Sequence, residues 1–240
     1  MTKKRKLELS PRLQLLADWV PLGSRIVDVG TDHAFLPVWL MLNGKISSAI
    51  ASDLRSGPLA RGTETAQEYG VADSVEMRLC AGLEGIKPTE ADVVIIAGMG
   101  GENIAQILEN APWTADGAHT LILQPMSKME LLRQFLSEHG YEIVAEKLIM
   151  DRGTVYPVMK VQAGRMKLTT GQLHAGVKLM HDPLQDRALI ERIIRCYTVI
   201  AGLKRTGRLE DTEKANEMRD LISEFLVMRE EWRHANRTAD

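Results

Sequence analysis

Between residues 25 and 163, short runs of apolar and β-branched residues alternate with segments long enough for helices. The runs fall at 25–29, 48–52, 74–79, 92–97 and 119–124, with two more at 141–150 and 154–162. The first five are dominated by apolar and β-branched residues rather than alternating, as strands covered on both faces should be, and so predict a parallel sheet. Helices are expected between them, at 34–42, 57–69, 102–110 and 128–139, which is the alternation of a doubly wound fold. Only residues 151–153 separate the last two runs, too few for a parallel crossover, so those strands pair antiparallel. The expected class is α/β, a Rossmann-like sheet of five parallel strands plus an antiparallel hairpin. Ahead of it, Ser10 caps a helix that has Pro11 at its first position and runs to about residue 20.

Past residue 163 the pattern changes. Residues 183–205 and 209–237 carry apolar side chains at helical spacing, and residues 206–208, with Gly207 at the centre, break them. An antiparallel α-helical hairpin, or short coiled coil, follows, whose thin apolar face leans on the sheet or on a partner. The chain therefore divides into residues 1–163, a sheet domain with a basic N-terminal arm, and 164–240, the hairpin. With 45% apolar and 26% charged residues, the 240-residue chain can fill a core, which excludes disorder over most of its length. No apolar run approaches the roughly 18 residues of a membrane span, and residues 1–9 are basic without an apolar segment behind them. Cys80 and Cys196 are too few for a disulfide framework and lack metal-ligand spacing, so both are read as reduced thiols and no metal is expected. A cytoplasmic protein without a membrane partner is the expectation.

The formal net charge of −2 hides an uneven distribution. Residues 1–12 hold five basic side chains against one acidic, residues 13–163 carry a net −8, and residues 164–240 a net +2. A polyanion would be gripped by the ends of the chain.

Four strand ends carry the chemistry. The first strand runs into Asp28-Val29-Gly30-Thr31-Asp32-His33-Ala34, a glycine turn followed by a helix, which is how an open α/β sheet builds a ligand site at its carboxyl edge. The glycine spacing departs from G-x-G-x-x-G, and Asp32 at the mouth of the helix disfavours a pyrophosphate. A cationic ligand suits it better, and S-adenosylmethionine is the common cofactor of that kind. Asp28 is placed to meet its ammonium, directly or through water. Asp53, at the end of the second strand, reads as acceptor for two ribose hydroxyls, a role shared by nicotinamide and S-adenosylmethionine enzymes. The fourth strand ends in Ala97-Gly98-Met99-Gly100-Gly101, where three glycines let backbone approach a ligand closely. Gln124 ends the fifth strand beside that loop, where its amide can read a base edge.

The run Gly-x-Asp-His-Ala-x-Leu-Pro at 30–37 and the run Ala-Gly-Met-Gly-Gly at 97–101 are specific as a pair. With residues 10–16, Val20-Pro21, Gly57-Pro58 and 121–125, they make a chain that resembles the bacterial family of tRNA adenine-N1 methyltransferases acting on the adenosine at position 22 of tRNA. The similarity covers about residues 7–162, and the hairpin matches in kind and in the 179–184 region. It implies a class I methyltransferase sheet, S-adenosyl-L-methionine as methyl donor, tRNA as partner and a helical extension that helps to hold it. Cofactor contacts are then expected at Asp28, Gly30 and Thr31, at Asp53 and Leu54, at Ala81 and Gly82, and at Ala97, Gly98, Met99 and Gly100. Where the family usually has Gly-Asp-Gly-Leu, this chain has Cys80-Ala81-Gly82-Leu83, so backbone near Ala81 and Gly82 must meet the adenine edge. Many members carry Asn where this chain has Met126, which either packs or stacks on the target base.

Adenine N1 has an in-plane lone pair, so attack on the methyl group needs alignment and burial more than a base. Asp32 is the first candidate to stabilise the positive charge that develops, with His33 second and Gln124 beside the slot. N1 lies on the Watson–Crick edge, so the base must be unpaired or flipped. Phosphates would be gripped by Lys3, Lys4, Arg5, Lys6 and Arg12, and by Lys204, Arg205 and Arg208 of the hairpin. The protein is expected to be a monomer, with the hairpin as a place for weak self-association. Two other readings stay open here: a methyltransferase for a small-molecule or protein substrate, and a non-catalytic RNA-binding module that keeps a residual pocket.

Overall fold

The computed structural model describes residues 6–203 and 209–237. Helix α1 (Pro11–Trp19) begins on Ser10, whose hydroxyl accepts the Leu13 N–H, and Pro11 occupies its first turn. Strands and helices then alternate: β1 (Ser24–Val29), α2 (Phe35–Leu42), β2 (Ile46–Asp53), α3 (Ser56–Tyr69), β3 (Val75–Leu79), β4 (Val93–Gly100), α4 (Gly101–Glu109), β5 (Thr120–Ser127), α5 (Met129–Glu138), β6 (Tyr141–Asp151) and β7 (Thr154–Ala163). Among the described residues, these strands form one sheet in the order β3-β2-β1-β4-β5-β7-β6. Pairing is parallel from β3 to β5 and antiparallel for β5–β7 and β6–β7, as the chain's spacing predicts. The two-residue turn of the β6–β7 hairpin puts Arg152 and Gly153 at positive φ, 48° and 82°, the geometry that matches the twist of the flanking strands.

Burial explains the order. Val93 to Ile96 at the centre of the sheet are buried, and Val27, Val94 and Leu121 face one apolar cluster while Ile26, Ile95 and Ile122 face the other. Strand β3 departs from the expectation of two covered faces: it is the sheet's edge, and only Val75 of its residues is fully buried.

The C-terminal region adds a short α6 (Thr170–Ala175), unforeseen in the sequence although Thr169 and Gln172 form a capping box there. Long helices α7 (Gln185–Leu203) and α8 (Leu209–Ala235) follow, sharing a core of Leu189, Cys196, Ile200, Leu221, Ile222 and Phe225. Helix α7 starts two residues later than expected. The turn between the two helices, with Lys204, Arg205, Thr206, Gly207 and Arg208, lies outside the described residues, as do Lys3, Lys4 and Arg5.

The hairpin is bolted to the sheet by buried charge. Arg133 of α5 and Glu146 of β6 form an ion pair with fully buried side chains. Arg133 also donates to the Leu173 carbonyl at the end of α6 at 2.7 Å, and Glu146 accepts the Val177 N–H at 2.8 Å. Asp182 accepts the N–H of Leu148 on β6 at 2.8 Å, and Trp232 of α8 donates to the Asp182 carbonyl at 2.9 Å.

Candidate active site

The turn after β1 is shaped by Gly30, at φ +75°. The N–H groups of Gly30 and Thr31 both donate to the Ser52 carbonyl on β2, at 2.8 and 2.9 Å. Those amides are thus committed inside the fold, which removes the donors that a pyrophosphate would need. Asp28 and Thr31 are buried beneath the turn. Burial pushes the Asp28 carboxyl up to about 6, and a hydrogen bond from Thr31 and the charge of Arg12 partly oppose it. Asp32 does not cap α2. That helix begins on Ala34, in the left-handed region at φ 52°, without a side-chain cap. The Asp32 carboxylate instead turns outward, 69% exposed, to pair with Arg61 of α3, which holds it below the usual carboxylate range. His33 stands 3.7 Å from Asp32 and stacks on Phe35 with ring centroids 5.0 Å apart.

Beside this turn lies a pocket of about 480 Å³. Its floor is Val29 and Gly30, one wall is Asp53 and Leu54, another is Ala81 and Gly82, and Met99 closes one side. Asp53 is buried, and its Oδ1 accepts the Arg55 N–H at 2.8 Å. A side chain on Gly30 would collide with the Met99 methyl, and one on Gly82 would come within 3.0 Å of Ile107, so both glycines keep the cavity open. The fourth wall was not foreseen: Asn103, Gln106, Ile107 and Asn110 along α4. Their signal was present as polar residues at helical spacing directly after the glycine loop.

This donor set fits S-adenosylmethionine. A buried carboxylate at the strand end suits a ribose diol, backbone at Ala81 and Gly82 edges an adenine, and acidic groups in and beneath the turn suit a cationic ligand. The absence of a carboxylate at Ala81 leaves that wall open and still lined.

The glycine loop forms the far side. Gly98, at φ +79°, donates its N–H to Gln124 Oε1 at 3.2 Å, and Arg12 Nη1 donates to the same oxygen at 2.6 Å. Gln124 Nε2 donates to the Pro125 carbonyl at 3.0 Å and to the Met126 sulfur at 3.4 Å. Two expectations change accordingly. Gln124 is fully buried with its amide committed, so it holds the loop rather than reading a base. Arg12 is drawn into the fold between Gln124 and Asp151, 3.6 Å away, because α1 packs against the β6–β7 hairpin, so it is not a surface grip for phosphate. Lys6, the remaining described member of the basic arm, is exposed.

Of the expected cofactor contacts, Gly30, Asp53, Leu54, Ala81, Gly82 and Met99 line the pocket, whereas Asp28, Thr31, Ala97, Gly98 and Gly100 do not. Gly100 pairs with Ser127 of β5. Beyond Ser127 opens a second cavity of about 530 Å³, bounded by Met126, by Tyr156 and Pro157 of the hairpin, and by α7 and α8. Met126 is half-exposed at its rim. The loop at 98–100 is therefore a partition, with a cofactor-sized pocket on one side and a cleft on the other.

A family profile described as a methyltransferase domain matches residues 9–159. The tRNA (adenine(22)-N(1))-methyltransferase of Bacillus subtilis strain 168 is 38% identical over 159 residues, 66% of this chain and 67% of that one. The crystal structure of the B. subtilis m1A22 tRNA methyltransferase superposes with a TM-score of 0.86 at 28% identity, covering 93% of this chain and all of the other. A proposed tRNA (m1A22) methyltransferase of Streptococcus pneumoniae, solved in complex with S-adenosyl-L-methionine, gives 0.78 at 32% identity over 90% of this chain.

Proposed function

The chain belongs to the tRNA (adenine(22)-N(1))-methyltransferase family, and from that premise we propose how its own residues divide the work. The protein is an S-adenosylmethionine-dependent methyltransferase that methylates N1 of adenosine 22 in tRNA. When bound, the cofactor supplies an electrophilic sulfonium methyl group.

Asp53 accepts the cofactor's ribose hydroxyls, and backbone at Ala81 and Gly82 meets its adenine edge. The turn at Gly30 and Thr31 lies under its amino-acid end, with Asp28 beneath as a source of negative potential. Met99 faces the cofactor-sized pocket while Ser127, the β5 partner of Gly100, faces the cleft, and Gln124 and Arg12 act as positioning residues because they hold the loop at Gly98. The target adenine enters over Met126 and Ser127. No general base is required to begin, since N1 attacks through its own lone pair. What the protein adds is orientation and exclusion of water. Asp32, on the rim of the same turn, offsets the positive charge that develops on the base as it exchanges its pair with Arg61. His33 holds that carboxylate in place.

The observation that carries the assignment is the pocket itself: Gly30, Asp53, Ala81, Gly82 and Met99 converge from four separate strand ends onto one cavity of cofactor size. It supports an enzyme rather than a scaffold with a closed pocket. The open cleft beside the glycine loop supports a bulky nucleic-acid substrate over a small one. Among the described residues, no helix is long and apolar enough to cross a membrane. We read the protein as a cytoplasmic monomer, with the exposed Ile194, Tyr197, Leu226 and Val227 as the surface through which the hairpin would self-associate. The test is direct. Unmodified tRNA is incubated with the protein and cofactor, digested, and mapped by mass spectrometry. Methylation at N1 of adenosine 22 is expected, and methylation elsewhere or none would reject the assignment.

A further inference from the structure

The cleft between the sheet and the C-terminal helices holds positive charge that the glycine loop does not use. Arg192 and Arg195 of α7 and Lys128, between β5 and α5, line it. Arg192 makes no hydrogen bond or ion pair among the described residues, and its Nε is shut away from solvent without a partner. Burial, reinforced by the neighbouring charges of Arg133 and Arg195, pushes its guanidinium down to about 10. A part-buried guanidinium that has no protein partner and keeps its Nε out of water is costly to a fold, and an anion bound at its open Nη atoms would offset that cost.

The carboxylates nearby are mostly engaged. Glu191 is 2.7 Å from Arg187, and Glu146 belongs to Arg133, which leaves Glu130 as the acid facing Arg192. Burial pushes His174 down, so it adds no charge at neutral pH. The cleft therefore carries net positive charge, and it begins at Met126 and Ser127, where Ser127 pairs with Gly100 of the glycine loop. A ligand for it must be an anion with several acceptor oxygens that arrives attached to whatever lies at that loop.

We propose that this cleft seats a backbone phosphate of the tRNA next to the methylated nucleotide, with Arg192 and Arg195 as its ligands and Lys128 at the mouth. The inference rests on the methyltransferase reading and adds to it the place where the strand is held. A guanidinium presents paired donors that match phosphate oxygens, and closing on an anion restores to Arg192 the partner it lacks.

The test uses the full chain, wild type and Arg192→Met, in three measurements: tRNA affinity across a salt series, cofactor affinity, and apo thermal stability. Arg192→Met should weaken tRNA binding about tenfold, the loss of roughly one charge-assisted contact, and flatten the slope of log affinity against log salt by about 0.7 to 0.9. Cofactor affinity should stay unchanged, and the apo midpoint should hold or rise, because a part-buried charge without a partner has been removed. Arg192→Lys, which keeps the charge, should retain the salt slope. Arg195→Gln, at an exposed position where folding is not at stake, should flatten it by a similar amount. A wild-type salt slope in both Arg192→Met and Arg195→Gln would overturn the phosphate seat. So would a lower apo midpoint for Arg192→Met with tRNA binding intact, the mark of a structural arginine. Failure of the wild type to methylate tRNA would instead overturn the reading beneath it.

Discussion

Replacing Asp28 with asparagine should make this protein more stable at neutral pH and a poorer binder of its cofactor. The carboxyl is buried under the Gly30 turn and titrates at about 6, against 3.8 for the free group, with burial as the main cause. A tenfold change in proton affinity corresponds to about 1.4 kcal/mol, so carrying the ionised carboxylate at pH 7 costs the fold roughly 3 kcal/mol. The sign follows from proton counting: between pH 4 and 6 the folded chain binds more protons than the unfolded one at this group, so its contribution makes stability fall as pH rises. Asparagine keeps the shape and the acceptor for Thr31 but has no charge to desolvate. At about 2 to 4 °C per kcal/mol for a chain of this size, the midpoint at pH 7.5 should rise by roughly 6 to 12 °C. Urea unfolding of both proteins from pH 7.5 down to 4 gives the decisive curve, because the difference should close as the wild-type carboxyl takes up its proton. A cationic ligand favours the ionised form, so wild-type cofactor affinity should strengthen as pH rises through 6, and the variant should lose that dependence. A variant no more stable than wild type at pH 7.5, or a difference that persists at pH 4, would mean that Asp28 carries no such burden in the fold.

Four further outcomes follow from the site and its supports. Asp53→Ala should weaken cofactor binding by about 100-fold through loss of two charge-assisted hydrogen bonds while leaving the unfolding midpoint nearly unchanged; calorimetric titration checks it, and unchanged affinity would remove Asp53 from the ribose. Asp32→Asn should lower kcat by about tenfold or more with cofactor affinity intact, measured at saturating tRNA; a wild-type kcat would take the carboxylate out of the reaction. Gly101→Ala places a methyl group into the Lys128 carbonyl, which is backbone and cannot swing away, so activity should fall sharply and the midpoint with it. Arg133→Met should destabilise the protein by about 3 to 5 kcal/mol, since Glu146 is left charged and buried, and Arg133→Met with Glu146→Leu should recover a good part of that loss.

The site was legible wherever it depended on local sequence. Gly30, Asp53 and the glycines that end β4 sit at the carboxyl ends of strands, and those ends could be read from the apolar runs because both sheet faces are covered. That five parallel strands precede an antiparallel hairpin came from the same runs together with the short link inside the hairpin, whereas the order β3-β2-β1-β4-β5-β7-β6 is set by long-range pairing that the runs do not report. Residues placed by long-range contact were not legible in this way. Arg12 and Gln124 are 112 positions apart, and nothing in either segment marks them as partners. A basic residue near a basic terminus reads as a surface group until α1 is seen to pack beside the β6–β7 hairpin. The outward turn of Asp32 depends on Arg61, which belongs to a different helix. The edge exposure of β3 depends on which strand stands last in the sheet, and an apolar run does not report it. The attachment of the hairpin rests on Arg133 and Glu146, charged residues that pattern reasoning assigns to the surface.

A crystal structure of the protein with S-adenosylmethionine would show at once where the methyl donor lies. Adenosine is expected in the cavity lined by Asp53, Ala81 and Gly82, its ribose on the Asp53 carboxylate, and the sulfonium methyl directed past Met99 toward the cleft at Ser127. Clear density for the cofactor outside that cavity, or with its methyl turned away from the cleft, would contradict that placement.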